Sequence, residues 1–270
     1  MSVVIDERAV VHPGAELGTD VVVGPYCVIE DGVSIGDSTR LEPFVQIKSH
    51  TSLGSGNHVH SHAVLGGEPQ HLGFKGEPTT VDIGDNNVIR EFVTVHRGTA
   101  RGLGYSRVGS GCMLMAYVHV AHDCELGDHV IMANASSLAG HVEIGDHAVI
   151  SGMSGVHQFV RIGEHAFLGA MGGFGMDVPP FVMATGVRAS LHGVNVIGLK
   201  RNGYTRDAIS ALKKAYQLIF RSDRTREEAL DEVQADLGEH PEVMRLVDFI
   251  RSSKRGVTPA AANGNGFSEE

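Results

Sequence analysis

Tryptophan is absent from the 270-residue chain and aromatic residues make only 6% of it, so the 42% that is hydrophobic must pack as aliphatic side chains. Positive charge is also scarce. Lys and Arg number 22 against 32 Asp and Glu, a formal net charge of −10. A protein that binds nucleic acid needs the opposite balance, so no nucleic-acid partner is expected. The three cysteines, Cys27, Cys112 and Cys124, have neither C-x-x-C spacing nor an even count. That argues against a zinc ribbon or a disulfide scaffold and fits reduced thiols in the cytoplasm. No run of about 18 apolar residues is present, and no basic segment leads into an apolar one at the N-terminus. Neither membrane insertion nor secretion is expected. What is plentiful is glycine (35 residues, with no collagen period) and histidine (16 residues).

Aliphatic residues recur every sixth position at Ile5, Val11, Leu17, Val23, Ile29, Ile35, Leu41, Ile47, Leu53, Val59 and Leu65. The frame continues at Ile83, Ile89 and Val95, and again from Val108 to Leu168. Small or β-branched residues such as Ala9, Ala15, Val21, Val33, Thr39 and Val45 stand two positions earlier. Six is a multiple of the strand period of two but not of 3.6. Each hexad therefore reads as a short strand with an inward aliphatic, followed by a corner. Three hexads per coil give a parallel β-helix of roughly eight to ten coils. Its narrow interior leaves no room for tryptophan.

Two segments break the period, 66–82 and 96–107, and are expected to project as loops on one face, where solenoids commonly bind. After Pro179-Pro180 the pattern turns helical. Thr205 caps a helix to about Arg221, Thr225 and Glu228 form a capping box for a second, and Pro241 opens a third. The expected organisation is a β-helix over 1–188, a small α-helical domain over 189–255 and a disordered tail over 256–270.

His119 flanks the inward Val120 and should point outward, while His122 and Asp123 lie near a corner. His141 and His157 follow at intervals close to one coil. Imidazoles beside a carboxylate suit proton abstraction near neutral pH. Histidines on adjacent coils could instead bind zinc, although no carboxylate or cysteine set completes such a site. His12, His50, His58, His129, His147 and His165 read as decoration of a polar surface. Between Lys200 and Arg226, eight basic residues stand against two acidic ones, a net +6 within an acidic chain, which points to an anionic partner or substrate.

The hexad array with GEPT (76–79), VTVHRGT (93–99), HVAHDC (119–124), LAGHV (138–142), VHQF (156–159), DVPP (177–180) and GVN-x-x-GLKR (193–201) closely resembles the UDP-N-acetylglucosamine acyltransferases of lipid A biosynthesis, over about residues 1–255. The resemblance implies a left-handed β-helix and a homotrimer with active sites between subunits. It also implies transfer of a fatty acyl group, usually 3-hydroxylated, from acyl carrier protein to the glucosamine 3-hydroxyl. His122 would then be the general base, Asp123 its orienting partner and the Gly140 N–H an oxyanion donor. Gln70, His71, His96, His119, His141, His157 and Gln158 would contact substrate, and Asn195 and Arg201 the nucleotide. Ala170 would measure acyl length, its methyl favouring a shorter chain than glycine would. Arg206, Lys213, Lys214, Arg221 and Arg224 would meet acyl carrier protein. No metal or tightly held cofactor is implied.

The chain departs from the family pattern in four places. His71 and Gly73 replace an Asp and a Lys, Ile197 stands where Glu is common, and Asn202 where a second Arg is common. These changes leave open a 3-amino sugar analogue as acceptor, or a shifted nucleotide contact through Lys75. From other classes, a zinc carbonic anhydrase on the same fold would need three histidines converging on one metal. A non-catalytic scaffold would have no use for the His-Asp pair.

Overall fold

The structure, a computed structural model, describes residues 2–262. Two-residue strands such as Val22–Val23, Val28–Ile29 and Ser34–Ile35 follow one another around a triangular prism. Each pairs in parallel with the strand one coil away, building three sheets of 11, 9 and 8 strands. The sheets that begin with Val4–Ile5, Val10–Val11 and Glu16–Leu17 are called here faces 1, 2 and 3. The hexad aliphatics line the interior: Val23, Ile29, Leu41, Ile47, Leu65 and Leu138 are all essentially inaccessible. Burying each contributes about 1.5–3 kcal/mol. The first coil differs in that Ile5, at an inward hexad position, remains exposed.

Every turn of the prism needs a tight corner, and from Asp20 onward the second corner residue characteristically adopts positive φ. Nineteen non-glycine residues among those described do so, including His50, His62, His129, His141, His147 and His165. Asn, Asp and His tolerate this left-handed region best. Corner positions thus account for six of the sixteen histidines.

Most coils repeat at 18 residues, as between Thr19 and Asp37. Two are longer, with Asn57 and Asn87 separated by 30 and Asn87 and Cys112 by 25. The excess leaves the prism as the two loops, both at the edge where face 2 turns into face 3.

The β-helix ends in an antiparallel hairpin, Val182–Thr185 with Ser190–Val194, which straddles the boundary expected at 188/189. Four helices follow: α1 (Val196–Arg201), α2 (Arg206–Arg221), α3 (Arg226–Leu237) and α4 (Pro241–Ser252). Thr205 and the Thr225–Glu228 capping box open α2 and α3 as their sequences predict. The short α1 is additional to the three helices expected.

The expected disordered tail is corrected over 256–262. Val257 bridges to Asp177 and Ala260 to Leu191, and Thr258 is 1% exposed. Backbone pairing with the last coil orders this segment despite its polar, glycine-bearing composition. Residues 263–270 lie outside the described part. Among the described residues, no helix is long and apolar enough to cross a membrane.

Candidate active site

The strand His119–Val120 lies on face 2, and the chain then turns the 2–3 edge through His122 and Asp123. Asp123 takes the left-handed corner position, with φ at 58°. Its side chain is fully buried there beneath the 96–107 loop. One carboxylate oxygen accepts the N–H groups of Thr99 (2.9 Å), Leu103 (2.8 Å) and Gly104 (3.3 Å). The other accepts the Thr99 hydroxyl at 2.7 Å and meets His122 Nδ1 at 2.8 Å. Gly102 must be glycine for the loop to close, because a Cβ there would stand 2.4 Å from the carboxylate. Burial alone would raise the Asp123 pKa. The bonds from Thr99 and His122, with the nearby His141, outweigh it and hold the carboxyl below the usual carboxylate range.

An ionised carboxylate only accepts hydrogen bonds, so the Nδ1–H of His122 is the donor in this pair and Nε2 is the ring nitrogen left for a substrate. That is the tautomer a general base requires. Gly140, one coil on, passes directly against this ring; a Cβ there would meet His122 Cε1 at 2.5 Å. Among the described residues no carbonyl accepts the Gly140 N–H. His141 sits edge-on to His122 with ring centres 5.1 Å apart, and stacks on Phe159 at 4.4 Å. Burial, chiefly, lowers the pKa of His119 and, against the opposing charge of Asp123, that of His141.

A cavity of about 930 Å³ opens in front of His119 and His122. Its floor is face 2, where Ser137, Gly155 and Gly173 follow His119 on successive rungs. Side chains shrink along this row, leaving a bare groove. His157 lies on its wall, and Arg255 donates to His157 Nδ1 at 2.9 Å.

The first loop brings Gln70 into the cavity wall and sets His71 edge-on to His122 at 5.3 Å. Gly73 N–H donates to His71 Nδ1 at 3.1 Å, and a Cβ on Gly73 would lie 2.9 Å from the His71 ring. The two departures in this loop are thus one local structure: the histidine takes its orientation from the glycine.

Other expected residues stand elsewhere. His96 is buried behind His119, its pKa lowered to about 4 mainly by burial. Gln158 is exposed at the corner one coil beyond Gly140, outside the cavity lining. Asn195 is 7% exposed and committed internally, capping α1 at Gly198 N and donating to His165 O. Arg201 is exposed in the last turn of α1, and Asn202 caps that helix. Ala170 sits at an exposed corner on the opposite side of face 2 and does not line the cavity. In the basic patch, Arg206, Lys213 and Lys214 are exposed on α2. Arg221 instead holds Ala261 O, and Arg224 pairs with Glu232. The free positive surface is therefore smaller than the sequence count. Thr99, Arg255, Thr258 and Pro259 escaped the sequence reading; only the glycine density of 96–107 hinted at the first.

His122, Asp123 and His141 offer donor atoms within 4.8 Å of one another, a spacing that could admit a metal ion. Both Asp123 oxygens, however, already accept loop donors and the His122 ring. A metal would have to displace those bonds, and the site fits a proton-transfer dyad better.

Fold and site together define a hexapeptide-repeat transferase, and residues 105–140 match the family model for bacterial transferase hexapeptides. Residues 177–258 match that of UDP N-acetylglucosamine O-acyltransferase, domain 2. Acyl-(acyl-carrier-protein)–UDP-N-acetylglucosamine O-acyltransferases of Thermodesulfovibrio yellowstonii and Halorhodospira halophila are 47% and 50% identical, each over 94% of this chain and 98% of the relative. The solved UDP-N-acetylglucosamine acyltransferase of Francisella novicida superposes with a TM-score of 0.92 at 38% identity, covering 96% of this chain and 95% of that one. The chain belongs to the UDP-N-acetylglucosamine O-acyltransferase family. That membership displaces both the carbonic anhydrase and the scaffold alternatives.

Proposed function

We propose that the protein transfers a fatty acyl group, usually 3-hydroxylated, from acyl carrier protein to the glucosamine 3-hydroxyl of UDP-N-acetylglucosamine in the cytoplasm, the first step of lipid A biosynthesis. His122 Nε2 takes the hydroxyl proton as the oxygen attacks the thioester carbon. Asp123 stabilises the imidazolium that forms. The Gly140 N–H faces the developing oxyanion. Collapse breaks the C–S bond, and the imidazolium returns its proton to the leaving phosphopantetheine thiolate. No metal or bound cofactor enters these steps.

The observation that carries this reading is the locked His122–Asp123 pair at the mouth of a groove floored by Ser137, Gly155 and Gly173. Arg206, Lys213 and Lys214 give acyl carrier protein a cationic surface. A homotrimer completes the sugar-nucleotide site, with the exposed Gln158 and Arg201 acting at the subunit boundary. An exposed apolar row at the 1–2 edge (Tyr26, Phe44, Phe92, Tyr117, Met153 and Met171) supports that assembly.

The test is acyl transfer by wild type and His122→Ala, with UDP-N-acetylglucosamine and its 3-amino analogue as acceptors. The expected result is transfer to the hydroxyl sugar that falls by about 10²–10⁴-fold in the variant. Transfer to the amino analogue alone would reassign the acceptor. Undiminished transfer by His122→Ala would reject the base.

A further inference from the structure

The loop that carries Gln70 and His71 to the site is thinly attached. Within the chain, the hydrogen bonds of residues 69–79 close on the segment itself. His71 N–H donates to Pro69 O, Phe74 N–H to His71 O and Thr79 N–H to Glu77 O. Gly73 N–H donates to His71 Nδ1 and Lys75 N–H to Glu77 Oε2.

Arg97 reaches this loop from the segment that turns the 2–3 edge one coil before His122. Its N–H donates to Gly67 O at 2.9 Å. Its guanidinium lies over the Phe74 ring, 5.5 Å from the centroid, and Nη2 stands 3.8 Å from Glu68 Oε1. Glu68 and Phe74 flank Gln70 and His71, so one side chain holds both arms of the loop at the base of its tip.

Arg97 is 8% exposed, and its buried Nε has no hydrogen-bond partner among the described residues. An arginine enclosed this far is ordinarily matched by a close carboxylate. Here the charge is met by an aromatic face and by the exposed Glu68, both supplied by the loop. Two residues on, Thr99 binds Asp123 through its N–H and its hydroxyl. The loop and the base are thus held by neighbouring residues of one short stretch.

We infer that Arg97 is a positioning residue: by clipping Glu68 and Phe74 it fixes Gln70 and His71 beside the acceptor sugar, and it governs acceptor binding, not proton transfer. The inference rests on the acyltransferase reading above, in which Gln70 and His71 contact substrate. His71 stands edge-on to His122 at 5.3 Å, beside the path of the attacking hydroxyl. The bonds from Thr99 to Asp123 and from His122 to Asp123 do not involve the Arg97 side chain, so the base stays in place without it.

The test is steady-state kinetics on full-length Arg97→Met, which keeps an unbranched chain against Phe74 and removes the charge. KM for UDP-N-acetylglucosamine should rise about tenfold, with kcat within about threefold and KM for the acyl carrier protein thioester within about twofold. Arg97→Lys should recover part of the loss. Phe74→Leu should raise the same KM, and the double variant no further than the stronger single one, because the contact is shared. Tryptic cleavage after Lys75 reads the loop without activity and should be faster in both single variants at unchanged Tm. If Arg97→Met does not fold, Phe74→Leu decides alone. Folded variants with wild-type KM, or a fall in kcat at unchanged KM, would overturn the inference. Absence of transfer by wild type, with cleavage still faster in the variants, would overturn the activity and not the clip.

Discussion

Two edges of the same prism carry columns of histidine, yet one is built for proton transfer and the other for packing. At the 2–3 edge the corner reads His122-Asp123. At the 3–1 edge it reads Asp128-His129, Asp146-His147 and Glu164-His165. The order of the dipeptide makes the difference. In the second arrangement the carboxylate occupies the first corner position and accepts a backbone N–H one coil away: Ser110 to Asp128 and Asp128 to Asp146, at 2.7 and 2.8 Å. The histidines take the left-handed position and stack face to face, with ring centres 4.8 and 4.7 Å apart. In the first arrangement Asp123 takes the left-handed position, turns inward and is enclosed by a loop that the other edge lacks. The same residue types at the same turn thus yield a base or a spacer.

Reversing residues 122 and 123 to Asp-His should break the contrast most severely. It recreates the packing edge at the active site, and acyl transfer should fall by about 10²–10⁴-fold, with the β-helix intact by circular dichroism. Activity within tenfold of wild type would mean that order is not what distinguishes the edges. A smaller effect is expected from Thr99→Val. It removes the 2.7 Å hydroxyl bond to Asp123 and should cost about tenfold in kcat. Thr99→Ser should restore most of that loss. Equal rates in the valine and serine variants would show the loop to be a cover and not a clamp.

The third test acts on the packing edge and is read in stability. Burial, helped by His147 and Arg245, lowers the His165 pKa to about 4, with Asp146 opposing. In the unfolded chain the same group titrates near 6.5. Between those values the unfolded state binds the extra proton, so stability falls as pH drops through that window. His165→Gln should make the loss of Tm from pH 6.5 to 4 shallower while leaving kcat at pH 7.5 within about twofold. His96, also lowered to about 4, contributes in the same window and will leave part of the slope in place. Asp123 has the opposite sign of charge. Its stabilising effect is present above the ordinary carboxylate range and disappears only as pH falls through its lowered pKa. A melting profile unchanged by His165→Gln would remove this histidine from the acid response.

The prism was legible because its rule is local. One aliphatic in six defines both the strand and its inward side, and Val23, Leu41, Val59 and Ile89 fall on one ladder as a consequence. Helix starts at Thr205, Thr225 and Pro241 were legible for the same reason, since a cap lies within four residues of what it caps. The motif identified His122 and Asp123, but not the four loop contacts on the carboxylate. Those contacts join residues about twenty apart through a segment without periodicity. The tail misled because its order comes from pairing with Asp177 and Leu191, far away in sequence. Arg221 and Arg224 could be counted as charges, yet Ala261 and Glu232 had to be seen before the free surface was known. His165 was read as surface decoration and is 6% exposed, because Phe181 and Tyr204 close over it.

The uneven coil lengths bear on how such a molecule can change through inheritance. A duplication or deletion of 18 residues adds or removes a rung and leaves the neighbouring rungs in register. Any other length change is extruded at a corner, because the ladders tolerate no partial step. The 30- and 25-residue coils are two such remainders on one edge. One of them clamps the aspartate and the other sets a second imidazole against His122. In this lineage of folds, chemistry is gained where the numerical repeat fails to close.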